Sequence, residues 1–182
     1  MNKQQFWALI DEAKKQTGGW EEMAEPLIDS LAGLDVSDIM KWEQIFREYQ
    51  NLSCKKKLWA AAYVINGGCS DDGFDYFRAW LIAQGKEVFM AALEDPETLA
   101  NDDTCEGEFE ELLGVAYEAY FKKLNTDDDY DRFDEEMAKH PLSEIDKAEI
   151  AAEIKYADDM DKNWEDDDLR EWLPKLCEAF DW

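Results

Sequence analysis

Leu58-Trp59-Ala60-Ala61-Ala62-Tyr63-Val64-Ile65 is an unbroken apolar run, and its conformation sets the class of the whole chain. Periodicity alone does not separate a buried helix from a buried strand over so short a stretch. Three consecutive alanines decide for helix, because Ala has the strongest helix propensity and is depleted in strands. A helix that is apolar all round must be covered on most sides, which places it at the centre of the fold.

Helical spacing continues on both sides of this run. Residues 2–16 read as a first helix with Phe6, Ile10 and Ala13 on one side, ended by Gly18-Gly19. Pro26 suits the first position of a short second helix that stops before Gly33. From Ser37, Ile39, Trp42, Phe46 and Tyr49 form one amphipathic stripe. After Asn66-Gly67-Gly68, helices are expected over Asp72–Gln84 and Lys86–Leu93, the latter closed by Pro96. Residues 107–124 read as one amphipathic helix carrying Phe109, Leu113, Ala116, Tyr120 and Leu124. Ser143 with Asp146 resembles a capping box that opens a helix to about Ala157. The last segment places Leu169, Trp172, Leu173, Leu176 and Phe180 on one face, with Pro174 dividing it. The expected architecture is therefore all-α. It is a single compact helical domain over 1–182, built around a central helix pair 58–66 and 72–84. The acidic last third, about 125–182, is expected as a helical extension packed on it.

Composition narrows the function classes. The chain has 182 residues, 46% of them apolar and 13% aromatic, which supplies a packed core despite a net charge of −26. The charge is uneven. Residues 1–100 hold 17 acids and 10 bases, a net of −7, while residues 101–182 hold 28 acids and 9 bases, a net of −19. Phosphate contacts need clustered Lys and Arg, so direct nucleic-acid binding is not expected, and an anionic membrane surface repels such a chain. Solubility explains the charge simply, and a basic partner protein explains it more sharply. Cys54, Cys69, Cys105 and Cys177 form no C-x-x-C pair, and His140 is the one histidine, so no zinc site of the usual type is expected. Scattered cysteines fit a reducing compartment, and no apolar run reaches the ~20 residues of a membrane span. The expected location is cytoplasmic, and no metal or cofactor is assigned.

One segment stands apart, Asn66-Gly67-Gly68-Cys69-Ser70-Asp71-Asp72-Gly73-Phe74-Asp75, followed by Arg78 and Trp80. Free amides opening the second helix can cradle an anion, whereas Asp71, Asp72 and Asp75 can hold a hard cation such as Mg2+. The two uses conflict, because those carboxylates repel the anion that the amides attract. Plain punctuation accounts for the same residues: Gly67 ends one helix, and Asp71 or Asp72 caps the next. Arg78 falls about 40° from Phe74 on the helical wheel, within a mostly apolar sector, where an unpaired guanidinium is costly. Asp75 can pair with it, or the guanidinium can orient a carboxylate or phosphate ligand in bidentate fashion. The candidate ligand-binding set is Asn66, Ser70, Asp71, Asp72, Asp75, Arg78 and Trp80.

Leu58-Trp59-x-Ala61-Ala62-Tyr63, the segment from Ile65 through Ile82, Phe6-Trp7-x-x-Ile10, the Gly85 turn and Asp95-Pro96-x-x-Leu99-Ala100 together resemble the bacterial family catalogued as domain of unknown function forty-two-forty. The resemblance covers residues 1 to about 121. It implies a bacterial, cytoplasmic protein and supplies no activity to carry over.

Other signals fail on inspection. Asp127, Asp129 and Asp131 begin like a calcium loop, yet Arg132 stands where Gly is needed and Ala138 where a bidentate Glu belongs. His140 precedes Pro141 in a polar stretch, with no nucleophile at motif spacing. The aspartates beside Cys69 favour its neutral thiol. The leading expectation is a cytoplasmic binding or regulatory protein, rather than an enzyme, whose acidic surface engages a basic partner protein. The alternative is an enzyme or ligand-binding domain using the loop 66–75 and Arg78 on a small phosphorylated or carboxylated molecule.

Overall fold

The run Leu58–Ile65 is helical, and so is nearly everything around it. A computed structural model describes residues 1–101, 107–154 and 164–182. Among the described residues there are eleven α-helices, two short 3-10 helices and no strand. The α-helices are α1 (Lys3–Thr17), α2 (Ala24–Ala32), α3 (Val36–Leu52), α4 (Lys56–Ile65), α5 (Asp71–Ala83), α6 (Lys86–Glu94), α7 (Val115–Leu124), α8 (Tyr130–Lys139), α9 (Glu144–Ala151), α10 (Asp166–Trp172) and α11 (Pro174–Ala179). The 3-10 helices are Pro96–Asn101 and Glu110–Gly114. The residues group into two compact units, the first formed by Met1–Tyr49 with Glu110–Glu153, the second by Gln50–Phe109 with Ile154–Trp182. The acidic last third is thus shared between them.

In the first unit α2 packs along α7, and α1 against α2. Phe6, Trp7, Trp42, Phe46 and Tyr49 form an aromatic cluster with ring centroids 4.9–5.5 Å apart. The sequence stripe of α3 is the buried one: Ile39, Trp42, Phe46 and Tyr49 are all shielded from solvent. Long-range polar contacts pin the acidic part of this unit. The Gln44 amide donates to the His140 carbonyl at 2.6 Å and accepts from the Leu142 amide at 2.8 Å. Lys3 reaches the Glu149 carbonyl and the Glu153 carboxylate, and the Tyr49 hydroxyl donates to Glu153 at 2.9 Å.

The second unit holds the α4 and α5 pair. Ala60, Ala61, Ala62, Phe77, Trp80, Leu81 and Ile82 are fully buried, so the reading of 58–65 as a covered helix holds. The chain leaves α4 through Gly67 at φ 66°, and the Gly68 amide donates back to the Tyr63 carbonyl at 2.8 Å, the pattern of a glycine-closed helix end. The C-terminal pieces are tied to this unit by aromatic contacts and a carboxylate. Trp164 meets Trp59 and Tyr63 edge-on, and Trp182 meets Tyr63 at 5.3 Å. Buried Glu97 accepts from the Lys175 amide at 2.9 Å and the Leu176 amide at 3.2 Å, closing the N-terminus of α11.

Several expectations shift. The second helix opens at Ala24, and Pro26 sits inside its first turn, where a missing amide is harmless. The stretch 107–124 is not one helix: the chain is irregular at 107–109, passes through a 3-10 turn, and becomes α-helical only at Val115. The reason is tertiary. A Cβ on Gly107 would lie 2.9 Å from the Phe77 ring, so the backbone runs directly over that ring, and the Phe109 amide bonds the Tyr76 carbonyl. Ser143 caps α9 as expected, but that helix ends at Ala151, and Lys155, Tyr156 and Ala157 lie outside the described residues, as does Cys105. Pro174 does divide the final segment, into α10 and α11.

Candidate functional site

Each residue of the Gly/Asp segment has a definable local task. The cap of α5 is Ser70 rather than Asp71 or Asp72: its hydroxyl accepts the Gly73 amide at 3.1 Å. Ser is as good a cap as Asp, and its position one residue earlier leaves both aspartates exposed in the first helical turn, where the dipole favours them. Asn66 folds back on the chain around Gly107, accepting its amide at 2.9 Å and donating to its carbonyl at 3.3 Å. Arg78 is buried, and each of its three guanidinium nitrogens donates to the chain. It donates to the Phe74 carbonyl at 3.2 Å, to the Gln50 carbonyl at 2.7 Å and to the Asp75 carboxylate, and lies 4.6 Å from the Phe74 ring centroid. Trp80 is fully buried, and its indole N–H has no partner among the described residues. The segment therefore brings Asn66, Ser70, Asp75 and Arg78 into hydrogen bonds with their own chain. The neighbouring Cys69 thiol is pushed up to about 12 by burial and then by the Glu108 charge, so it stays protonated near neutrality. No three His, Cys, Asp or Glu side chains among the described residues converge to hold a metal.

A second place in the molecule is built differently. In the first unit, α2, α7 and the turn into α8 line an open groove of about 780 Å³. Its walls carry the carboxylates of Glu25, Glu118, Asp127 and Asp128 against the single ammonium of Lys122. That ammonium is already paired, 2.7 Å from Glu25 and 2.6 Å from Asp29, and hydrogen bonds to Asp29 and then Glu25 raise its pKa. The apolar part of the groove is aromatic. Tyr117 stacks on Tyr130 at 4.5 Å with an interplanar angle of 21°, beside Phe121. Tyr130 is 76% exposed, while the Tyr117 hydroxyl is buried with no hydrogen-bond partner. Loss of solvent, then the nearby Asp128 carboxylate, raise the Tyr117 pKa and keep it a neutral donor.

Local sequence explains this geometry. Asn125 takes the left-handed conformation at φ 50° and closes α7, with the Thr126 amide bonding the Phe121 carbonyl. Asp129 caps α8 by accepting the Arg132 amide at 3.2 Å, which sets Tyr130 at the first helical position. The acid run Asp127–Asp131 is thus a loop and a helix start, with Tyr130 as the one aromatic embedded in it. Of two smaller grooves, the first is balanced in charge and the second has a smaller acidic excess. One, of about 340 Å³, sets Arg47 and Lys147 against Glu48 and Asp134; the other, of about 500 Å³, sets Arg170 against Glu178 and Asp181.

Residues 1–122 match the family described as Protein of unknown function (DUF4240). The chain belongs to that family. No curated protein and no solved structure matches it. The DUF4240 match takes in the Gly/Asp segment and Tyr117, and stops before Asp127, Asp128 and Tyr130. The groove therefore has one wall inside the family match and one beyond it. No helix among the described residues is long and apolar enough to cross a membrane.

Proposed function

We propose that this is a binding protein of the bacterial cytoplasm whose acidic surface engages a basic partner protein, and that the groove beside Tyr117 and Tyr130 receives a basic segment of that partner. The observation that carries the reading is the groove's composition: four carboxylates, of which Glu25 is paired with the groove's one lysine, and a stacked aromatic pair. Charge within the same unit supports it, since residues 110–153 hold 14 acids and 5 bases, a net of −9, and would steer cations toward the groove. Direct nucleic-acid binding is disfavoured by the same field. A cytoplasmic setting is in keeping with Cys54, Cys69 and Cys177, all of which are unbridged. The Gly/Asp segment supports a ligand-binding reading less well, because the guanidinium that would hold an anionic ligand is engaged by Phe74, Gln50 and Asp75.

The test is a titration of a labelled oligo-lysine peptide with the full chain, followed by fluorescence anisotropy. Binding is expected, it should weaken steeply as NaCl is raised, and Asp127→Asn with Asp128→Asn should weaken it several-fold. No binding at low salt, or binding indifferent to both salt and the two substitutions, overturns the proposal.

A further inference from the structure

We propose that the partner's anchor is an arginine, and that Tyr130 is its receptor: a guanidinium stacks on the exposed face of the Tyr130 ring while Asp127 and Asp128 accept its N–H groups. This rests on the reading of the groove as a basic-segment site and adds which cation it selects.

The chain itself contains the arrangement in finished form. Arg78 lies 4.6 Å from the Phe74 ring centroid, with the Asp75 carboxylate accepting at its edge. An aromatic face and a carboxylate side by side meet both needs of a guanidinium, a flat surface for its weakly hydrated plane and an acceptor for its forked donors. At the start of α8 the same two elements recur, the Tyr130 ring with Asp127 and Asp128 in the same groove wall. None of this chain's own cations, among the described residues, lies over Tyr117 or Tyr130. Lys122 is held by Glu25 and Asp29, and Arg132 turns its guanidinium to the Thr126 hydroxyl at 3.5 Å.

The ring is also ready to bind. Tyr130 is stacked on Tyr117 and fixed at the first position of a capped helix, so little side-chain freedom remains to be lost on docking. An exposure of 76% is high for an ordered aromatic, and Tyr130 and Ile145 are the two large apolar side chains so exposed among the described residues. Beneath it the unpartnered Tyr117 hydroxyl leaves a polar atom of the same pair unsatisfied. Arginine is favoured over lysine because the groove is open to water. An ammonium there keeps its strong hydration and gains little from the ring, whereas the guanidinium stacks without losing much.

The experiment compares oligo-arginine and oligo-lysine peptides of equal length and charge, binding to the full chain, by anisotropy at one salt concentration. The arginine peptide should bind about three- to five-fold more tightly. Tyr130→Leu should bring it down to the level of the lysine peptide, and Tyr130→Phe should keep the preference, with thermal unfolding and helical circular dichroism unchanged in both variants. Equal affinities for the two peptides on the wild-type chain overturn this inference while leaving the proposed function standing, and so does a preference that survives Tyr130→Leu. Failure of both peptides to bind removes the proposed function and this inference together.

Discussion

The Gly/Asp segment at the head of α5 and the groove at the head of α8 are made of similar materials, aspartates beside an aromatic at a helix start, and they end in opposite states. At α5 the chain supplies its own cation, so Arg78, Phe74 and Asp75 close on one another and the guanidinium is already engaged. At α8 Tyr130, Asp127 and Asp128 are exposed, and no cation among the described residues lies over the ring. The hydrogen bonds of Asn66, Ser70 and Arg78 give the first a structural role. The second, an acid run in the sequence, holds an exposed tyrosine beside exposed carboxylates. A function is better sought where the fold leaves chemistry incomplete than where the sequence is most unusual.

The strongest way to break this contrast is to open the first. Arg78→Ala should destabilise the protein by about 3 kcal/mol, through lost packing and a buried Gln50 carbonyl without its donor, measured by urea unfolding. A cost under about 1 kcal/mol would mean the guanidinium is not structural and return the segment to candidacy as a ligand site. Glu97→Ala should cost about 2 kcal/mol, because two amides of α11 lose their acceptor, and Glu97→Gln should cost less by keeping one oxygen. Next comes the cap: Ser70→Ala should cost about 1 kcal/mol and Asp72→Ala no more than about 0.5, reversing what the sequence suggests.

Glu43 sharpens the contrast between buried and exposed acids. It is buried, bonded to Arg47 Nε at 2.6 Å, and burial raises its pKa more than Arg47 lowers it. The folded state then holds this proton more tightly than the unfolded chain, so stability should fall as pH rises from the ordinary carboxylate range, about 4.3, toward the raised value. Glu43→Gln should lose that slope in urea midpoints taken across the pH series, and an unchanged slope would assign it to other acids. The smallest effect on stability belongs to Tyr130→Leu, within about 0.5 kcal/mol, although it should remove the arginine preference.

Much of the helical layout was legible because it depends on neighbours. Three alanines in 60–62, the stripe of α3, the Ser143 cap and the break at Pro174 are all decided within a few residues, and each lies where the sequence puts it. Where the reading slipped, a distant group had intervened. Residues 107–114 carry an acceptable helical pattern, but Phe77 and Tyr76 capture the backbone at Gly107 and Phe109 first. Arg78 is legible in the sequence as a guanidinium on an apolar face, and it is buried; the Tyr117–Tyr130 stack is not legible, since stacking between two helices leaves no mark on either alone.

The sequence by itself determined the helical class, the faces that must be buried, most helix ends, and the excess of negative charge toward the C-terminal end. These follow from propensity, periodicity and titratable side chains, which act over a turn or two of helix. Tertiary structure alone decided which polar groups met: Glu97 with amides 78 and 79 residues away, Asn66 with Gly107 at a separation of 41, and Gln44 with the carbonyl 96 residues on. An amphipathic pattern states that a face will be covered, not by what. The partners of buried polar groups are chosen only when the packed faces bring them within hydrogen-bond reach.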